Sequence, residues 1–226
     1  MIIIIQVSDF NNADQIIGPN TEYESEWNEI STSLTKMPLH IKPSDQANIK
    51  GNPIFDPVGS NQYIKNTLVK LGWHSNILIP VEYRFLGKDV DFGKSGILLE
   101  SQFSNYPFLL NNLLRSELFF KSRIHFAGNS TKLLVIITKA QMFPASNSTL
   151  YYEQAVQQLT ALIKHHVFDI PIRLIGLFEQ KNTTISAVST IYQSTRYSRI
   201  VNTQIDCQCQ ILPSHARSKR YKIHIL

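Results

Sequence analysis

Two acidic residues in the stretch "DVDFGKSGILLESQF", residues 89–103, are of the type and spacing that could support metal-dependent hydrolysis. Asp91 ends one apolar run, and Glu100 lies inside the next. Hydrolysis of a phosphodiester needs an activated water and positive charge near the phosphoryl oxygens. Mg²⁺ held by one or two carboxylates supplies both. Asp91 and Glu100 are therefore candidate metal ligands, and Asp89, on the same face of the strand as Asp91, is a competing candidate.

Gln102 occupies the position, two residues after Glu100, that commonly holds a lysine in such sites. Strand alternation places Glu100 and Gln102 on one face and Ser101 on the other. A lysine would add positive charge beside the phosphate, whereas glutamine can only position a water by hydrogen bonding. The pattern alone is weak, because acids in strands are more often solvated edge residues. Two interpretations stay open: a hydrolytic site, or two ordinary strands joined by a glycine turn.

Three polar clusters lie near the ends of predicted strands or close to the C-terminus. They contain the candidate DNA-reading residues Ser104 and Asn105, Asn147 and Ser148, and Tyr197 and Arg199. Asparagine, serine and arginine read base edges in the major groove, whereas basic residues alone contact phosphates without sequence information. Each cluster also has a local explanation, because Ser-Asn before a helix is a cap and Asn-Ser after a strand is a turn.

The net charge of the chain is +5, and its distribution is uneven. Six basic residues and a single acid, Asp206, lie from Arg196 onward, a balance equal to the net charge of the whole chain. Such a basic stretch favours a polyanionic partner. A solvated basic tail is an equally good explanation of "ARSKRYK" alone.

The composition predicts a single folded domain. A length of 226 residues and an apolar content of 43% allow a sizeable core and exclude disorder by composition. The start "MIIIIQVSDF" lacks the features of a signal peptide and predicts a first buried strand. No apolar run approaches the length of a membrane span, so we expect no membrane partner. Cys207 and Cys209 are the only cysteines, and we expect them to be reduced thiols of an intracellular, cytoplasmic protein.

Apolar spacing predicts strands alternating with helices, which indicates an α/β domain around a mixed sheet. Helices are predicted over residues 22–37, 59–73, 106–122 and 148–166, the last beginning at a serine or threonine. Strands are predicted over residues 82–92 and 95–103 around the turn "FGKSG", and at the buried runs "KLLVIIT" and "IPIRLIGLFE".

Dispersed segments of the chain carry a more specific signal. They are "MPLHIKPSDQA", "IFDPVGSNQYIK", "DVDFG", "QFSNYPFLLNN", "RSELF", "MFPASNSTLYYEQA", "FDIPIRLIGL" and "RYSR". Together they resemble the BglII family of type II restriction endonucleases, from about Asp9 to about Arg199. That family also carries glutamine where relatives carry lysine, so Gln102 matches its pattern.

The resemblance implies a homodimer with the restriction-endonuclease-like fold, a central mixed β-sheet flanked by helices with a small C-terminal β subdomain. The chain is then one endonuclease domain over residues 1–226. Its catalytic and dimerisation core extends to about residue 190, and a DNA-contacting β subdomain with the basic tail follows from about residue 191.

By position, the resemblance implies that Asp91, Glu100, Gln102 and Asn76 form the active site, with Asp91 and Glu100 holding Mg²⁺. It places the residues of the three polar clusters at DNA-reading positions. The implied activity is cleavage of both strands of a palindromic duplex, AGATCT or a related GATC-centred hexamer, to leave four-base 5′ overhangs. A DNA-binding protein that no longer cuts is the main alternative, although the presence of both acids argues against it. An RNA-binding or structural α/β protein explains the basic tail but not the dispersed similarities.

Overall fold

Strands and helices alternate along the chain in a computed structural model that describes residues 3–146, 149–194, 199–216, 218 and 220–226. In chain order the elements of these residues are β1 (Ile4–Phe10), α1 (Glu24–Thr35), β2 (Leu39–Pro43), β3 (Pro53–Phe55), α2 (Pro57–Lys70), β4 (His74–Leu78), β5 (Asp89–Lys94), β6 (Ile97–Ser101), α3 (Pro107–Lys121), β7 (His125–Phe126), β8 (Asn129–Ser130), β9 (Leu133–Lys139), α4 (Tyr152–Lys164), β10 (Ile172–Phe178), β11 (Thr184–Tyr192), β12 (Val201–Pro213) and β13 (Tyr221–Ile225).

A six-stranded mixed sheet forms the centre of the protein, in the order β1-β10-β9-β6-β5-β4. Strands β10, β9 and β6 run parallel to one another. Strand β1 pairs antiparallel with β10, and β5 pairs antiparallel with both β6 and β4. Every residue of β9 is buried, as expected for a central strand with both faces covered. The α/β fold with a central mixed sheet and flanking helices, as predicted, is confirmed.

Two hydrophobic cores lie on opposite faces of this sheet, because successive side chains of a strand alternate between its faces. On one face Leu99 and Val135 pack in the same core as helices α1 and α2. On the other face Leu98 and Leu134 pack in the same core as helices α3 and α4. The predicted helices are confirmed, and among the described residues no helix is long and apolar enough to cross a membrane.

A second sheet of five strands combines both ends of the chain in the order β13-β12-β11-β2-β3. Strand β2 pairs in parallel with β11, so that Leu39 lies beside Ala187. Two of the five strands therefore come from the first quarter of the sequence. The division of the chain at about residue 190 stays a prediction.

Three details of the sequence prediction are wrong. Strand β1 is a half-exposed edge strand, not a buried one, because only β10 pairs with it. Residues Val81–Leu86 form a 3₁₀-helix, so the strand predicted from residue 82 begins at Asp89. Helix α4 begins after Tyr151 without a side-chain cap.

Candidate active site

A tight hairpin brings the two candidate acids together. Strands β5 and β6 are joined by Ser95 and Gly96, whose φ angles of 54° and 92° suit a two-residue hairpin turn. A side chain at Gly96 would lie 2.7 Å from the carbonyl oxygen of Ser130, so only glycine fits. The pairing of Phe92 with Leu99, extended by one residue, places Asp91 opposite Glu100 on the same face.

Asp91 is a largely buried carboxylate with a fixed orientation. Its Oδ2 accepts a hydrogen bond of 2.9 Å from the backbone N–H of Ser101. Burial raises the pKa of Asp91, and the charge of Asp89 adds to the rise. The Ser101 N–H and the cations Arg115 and Lys65 oppose it. The acid therefore lies where a bound cation would relieve an electrostatic cost.

Glu100 is 3% exposed and forms a buried ion pair with Arg115 of helix α3. The guanidinium also donates through Nη1 to the carbonyl oxygen of Asp89, at 3.1 Å. Burial raises the pKa of Glu100, Arg115 lowers it, and the charge of Asp91 raises it further. Gly87, at φ 138°, makes room for the guanidinium, because a Cβ there would lie 2.8 Å from Nη1. Arg115 thus fixes the position of the Glu100 carboxylate from helix α3.

Asn76 lies on β4, in the row across the sheet that contains Asp91 and Glu100. The register pairs Ser75 with Phe92 and Ile77 with Val90, so Asn76 stands opposite Asp91. Its φ of 52° is in the left-handed region, which asparagine tolerates better than most residues, and no bridge forms at that point of the ladder. Its Oδ1 accepts a 2.7 Å hydrogen bond from the ammonium of Lys65.

Gln102 is buried, and its amide is bonded within the protein. Its Oε1 accepts from Nδ2 of Asn112 at 3.1 Å, and its Nε2 donates to the carbonyl oxygen of Asn105 at 3.1 Å and to Oγ of Ser104 at 3.3 Å. Gln102 therefore connects the acidic strand to the loop that carries two of the candidate DNA-reading residues. Glu100 and Gln102 both bond to helix α3, through Arg115 and Asn112, so they lie on the same face of the sheet, as predicted.

A cleft of about 340 Å³ brings the candidate DNA-reading segments together where the chain leaves strand β6, the strand that carries Glu100. Ser104 and Asn105 line it, as do Ser146, Thr149 and Arg199. The Leu150 N–H donates to the Ser104 carbonyl at 2.9 Å, and Asn105 forms a β-bridge with Thr149. Because β6 and β9 are parallel neighbours, the loops that follow them meet at one edge of the sheet. Asn147, Ser148 and Tyr197 lie outside the described residues.

Lys139 is fully buried in the wall of this cleft and was not identified from the sequence. Its Nζ donates a 2.8 Å hydrogen bond to the carbonyl oxygen of Phe103, between Gln102 and Ser104. The rings of Phe55, Phe103 and Tyr151 surround it at 5.1 to 5.9 Å. Burial lowers the pKa of Lys139 to about 7.

Tyr192, which also lines the cleft, ties the end of β11 to helix α2. Its hydroxyl donates a 2.6 Å hydrogen bond to Oδ2 of Asp56, while Oδ1 of Asp56 accepts from the Val58 N–H as the helix cap. Burial and the Asp56 carboxylate raise the pKa of Tyr192. This contact anchors the strand end that leads to Arg199.

Sequence reasoning missed Arg115, Lys65, Lys139 and the Tyr192–Asp56 contact. A signal existed for Arg115, which is a charged residue inside the apolar helix "YPFLLNNLLRSELFFKS". A charge on a buried helix face needs a partner, and a search for one would have pointed to the acids. The other partners depend on the tertiary arrangement.

The donor set at the acidic pair is compatible with Mg²⁺. Among the described residues, no group of three His, Cys, Asp or Glu side chains could form a closed metal cage. Mg²⁺ is usually bound by one or two carboxylates together with water and substrate phosphate, and it does not require such a cage. Asp91 and Glu100 supply that number of carboxylates, and their charges act on each other.

Comparisons with known proteins agree on one family. The family model of restriction endonuclease BglII/BglIII matches residues 5–177. The type II restriction enzyme BglII of Bacillus subtilis is 51% identical over 216 residues, covering 96% of this chain and 95% of that protein. A crystal structure of BglII complexed with a DNA 16-mer has a TM-score of 0.94 at 49% identity, and free BglII has 0.76 at 46%. Both comparisons cover 99% of this chain and 100% of the other.

Proposed function

The chain belongs to the BglII/BglIII family of restriction endonucleases, and on that premise we propose how its residues bind and cut DNA. It is a type II site-specific deoxyribonuclease with the restriction-endonuclease-like fold. The observation that carries the detailed proposal is the row formed by Asn76, Asp91 and Glu100. Through Gln102 this row is connected to Ser104 and Asn105, which line the cleft together with Arg199.

Asp91 and Glu100 hold the divalent metal, which is Mg²⁺ in this proposal. When bound, the metal supplies positive charge for the scissile phosphate and lowers the pKa of water. The backbone N–H of Ser101 orients Asp91, and Arg115 orients Glu100. These contacts fix both carboxylates before substrate arrives, so little reorganisation is needed during the reaction.

Asn76 and Gln102 complete the active site. The side chain of Asn76 is exposed opposite Asp91, where its amide can hold a water near the phosphate. The hydrogen bonds of the Gln102 amide support a role mainly in fixing the loop of Ser104 and Asn105. The protein thereby couples the position of the reading loop to the position of the acids.

Sequence recognition uses the side chains around the cleft. Ser104, Asn105 and Arg199 supply hydroxyl, amide and guanidinium groups that can bond base edges. We extend the same role to the candidates Asn147, Ser148 and Tyr197 from their positions in the sequence. The proposed target is AGATCT or a related GATC-centred hexamer, cut to leave four-base 5′ overhangs.

A homodimer would match a palindromic target, because the two-fold symmetry of the protein then mirrors that of the DNA. Tyr106, the residue before α3, and Leu110 and Leu114 of α3 recur every fourth residue and are exposed. Val81 and Phe85 are exposed on the 3₁₀-helix. Exposed apolar surface of this kind is typical of an interface. We propose that the enzyme works as a homodimer in the cytoplasm, as part of a restriction–modification system.

Digestion of a fully sequenced plasmid, with and without Mg²⁺, tests the proposal when every cut end is mapped by sequencing. Ends confined to one GATC-centred hexamer, with four-base 5′ overhangs and only when Mg²⁺ is present, are the expected result. Ends at a different sequence would overturn the proposed target. Cutting in EDTA would overturn the proposed metal dependence.

A further inference from the structure

Lys65 of helix α2 is a cation beside the proposed active site that the mechanism above leaves without a role. Its ammonium donates to Oδ1 of Asn76 at 2.7 Å, and Asn76 stands opposite Asp91 in the sheet register. Lys65 is therefore close to the acid that is proposed to share its metal with the scissile phosphate.

The other groups at this site leave the charge of the phosphate only partly balanced. Asp91 and Glu100 are acids, and Gln102 is neutral and bonded within the protein. Arg115 is 7% exposed, and its Nη1 and Nη2 are bonded to the Asp89 carbonyl and to Glu100. It cannot reach the substrate without leaving Glu100 as an unpaired buried charge.

Lys65 differs from Arg115 in its burial and in the number of its donors that are bonded within the protein. It is only partly buried, and its ammonium has three donors, of which Asn76 takes one among the contacts seen in the described part of the chain. A lysine on a flexible stem can bind a phosphate oxygen as a point charge without giving up its asparagine partner.

We propose that Lys65 is a catalytic residue that donates a hydrogen bond to a non-bridging oxygen of the scissile phosphate. The proposal rests on the function proposed above, since it takes Asp91 as the site of the chemistry. Lys65 acts only as a hydrogen-bond donor, and no bond to it forms or breaks. It supplies the charge that Gln102 cannot supply, from a helix and not from the acidic strand.

The experiment is single-turnover cleavage by the full-length enzyme, in excess over a duplex that contains the hexamer mapped by plasmid digestion. Lys65→Met is expected to lower the cleavage rate constant by about 10²-fold, the usual effect of removing one donor to a transition-state oxyanion. Binding of the same duplex without divalent metal should weaken by less than about 10-fold, as expected for one phosphate contact. Lys65→Arg should retain part of the rate, and the matched control Lys70→Met, near the end of the same helix, should cleave normally.

A second pair of variants separates catalysis from the positioning of Asn76. If Lys65 acts only by holding Asn76, adding Lys65→Met to an Asn76→Ala enzyme will have no further effect, and the proposal is overturned. A further loss of at least about 10-fold in the double variant supports direct contact with the substrate. Wild-type cleavage by Lys65→Met also overturns the proposal. Asp91→Asn, measured alongside, tests the proposed active site independently, because its loss of cleavage does not depend on Lys65.

Discussion

Removal of Arg115 should destabilise the protein strongly, because the residue neutralises a buried carboxylate. Arg115→Met takes the guanidinium away from Glu100 and from the carbonyl oxygen of Asp89. Breaking a buried ion pair from one side costs about 3–5 kcal/mol, since the remaining charge is left without a partner. We expect a loss of that size in the free energy of unfolding at neutral pH.

The double variant Arg115→Met/Glu100→Gln should recover most of this loss. It removes the isolated charge and leaves a deficit of about 1–2 kcal/mol for the lost hydrogen bonds. The two single variants and the double variant form a thermodynamic cycle, in which a coupling of at least about 1.5 kcal/mol is expected.

Urea denaturation in EDTA, followed by tryptophan fluorescence at one protein concentration, measures these free energies. Lys121→Met is the matched control on the same helix, because Lys121 also pairs with acids, Glu117 and Asp169, but its own side chain is exposed to solvent. We expect its unfolding midpoint to stay within experimental error of the wild type. A cost below about 1 kcal/mol for Arg115→Met, or a double variant as unstable as the sum of the singles, would refute the reasoning.

Four further predictions concern the site and the cleft. Asp91→Asn keeps an acceptor for the Ser101 N–H, so the variant should still retard duplex DNA specifically, while its cleavage rate with Mg²⁺ falls about 10³-fold. Gln102→Ala frees the reading loop, so discrimination between the mapped hexamer and sites altered at one base pair should fall together with the cleavage rate. Lys139 has a folded-state pKa of about 7, below that of the unfolded chain, so its burial costs stability below pH 7 and this cost fades as the pH rises towards 10. The advantage of Lys139→Met over the wild type in urea denaturation should therefore shrink by on the order of 3–5 kcal/mol from pH 6 to pH 10, and a constant difference would contradict it. Tyr192→Phe removes a hydrogen bond to a buried carboxylate and should lower the free energy of unfolding by about 2 kcal/mol in the same assay, whereas an unchanged midpoint would show that the contact contributes nothing.

The hairpin that carries the acids was readable from the sequence because its determinants are local. Strand alternation places Glu100 and Gln102 on one face, and Ser95 and Gly96 form the turn between the strands. The apolar run of β9 similarly predicts a strand covered on both faces. These features depend on residues that are close in the chain, and the structure contains them.

The surroundings of the acids were not readable from local patterns. Arg115 reaches Glu100 from a helix 15 residues later, and Lys65 approaches Asn76 from a helix before β4. The loop of Ser104 meets that of Thr149 because β6 and β9 are parallel neighbours, a pairing that periodicity does not specify. Strand β1 was misjudged for the same reason, since its composition does not reveal that it lies at an edge.

The pairing of β2 with β11 has a consequence for how the enzyme is made. The ribosome synthesises Leu39 almost 150 residues before its neighbour Ala187, so the second sheet cannot form until most of the chain has emerged. Both Phe55 and Arg199 line the cleft, so the same delay applies to the surface proposed to bind DNA. A nascent or prematurely terminated chain that stops before β11 therefore has the acidic hairpin but no complete cleft. In the proposed function this cleft reads DNA, so an unfinished molecule lacks the surface that would direct its cleavage.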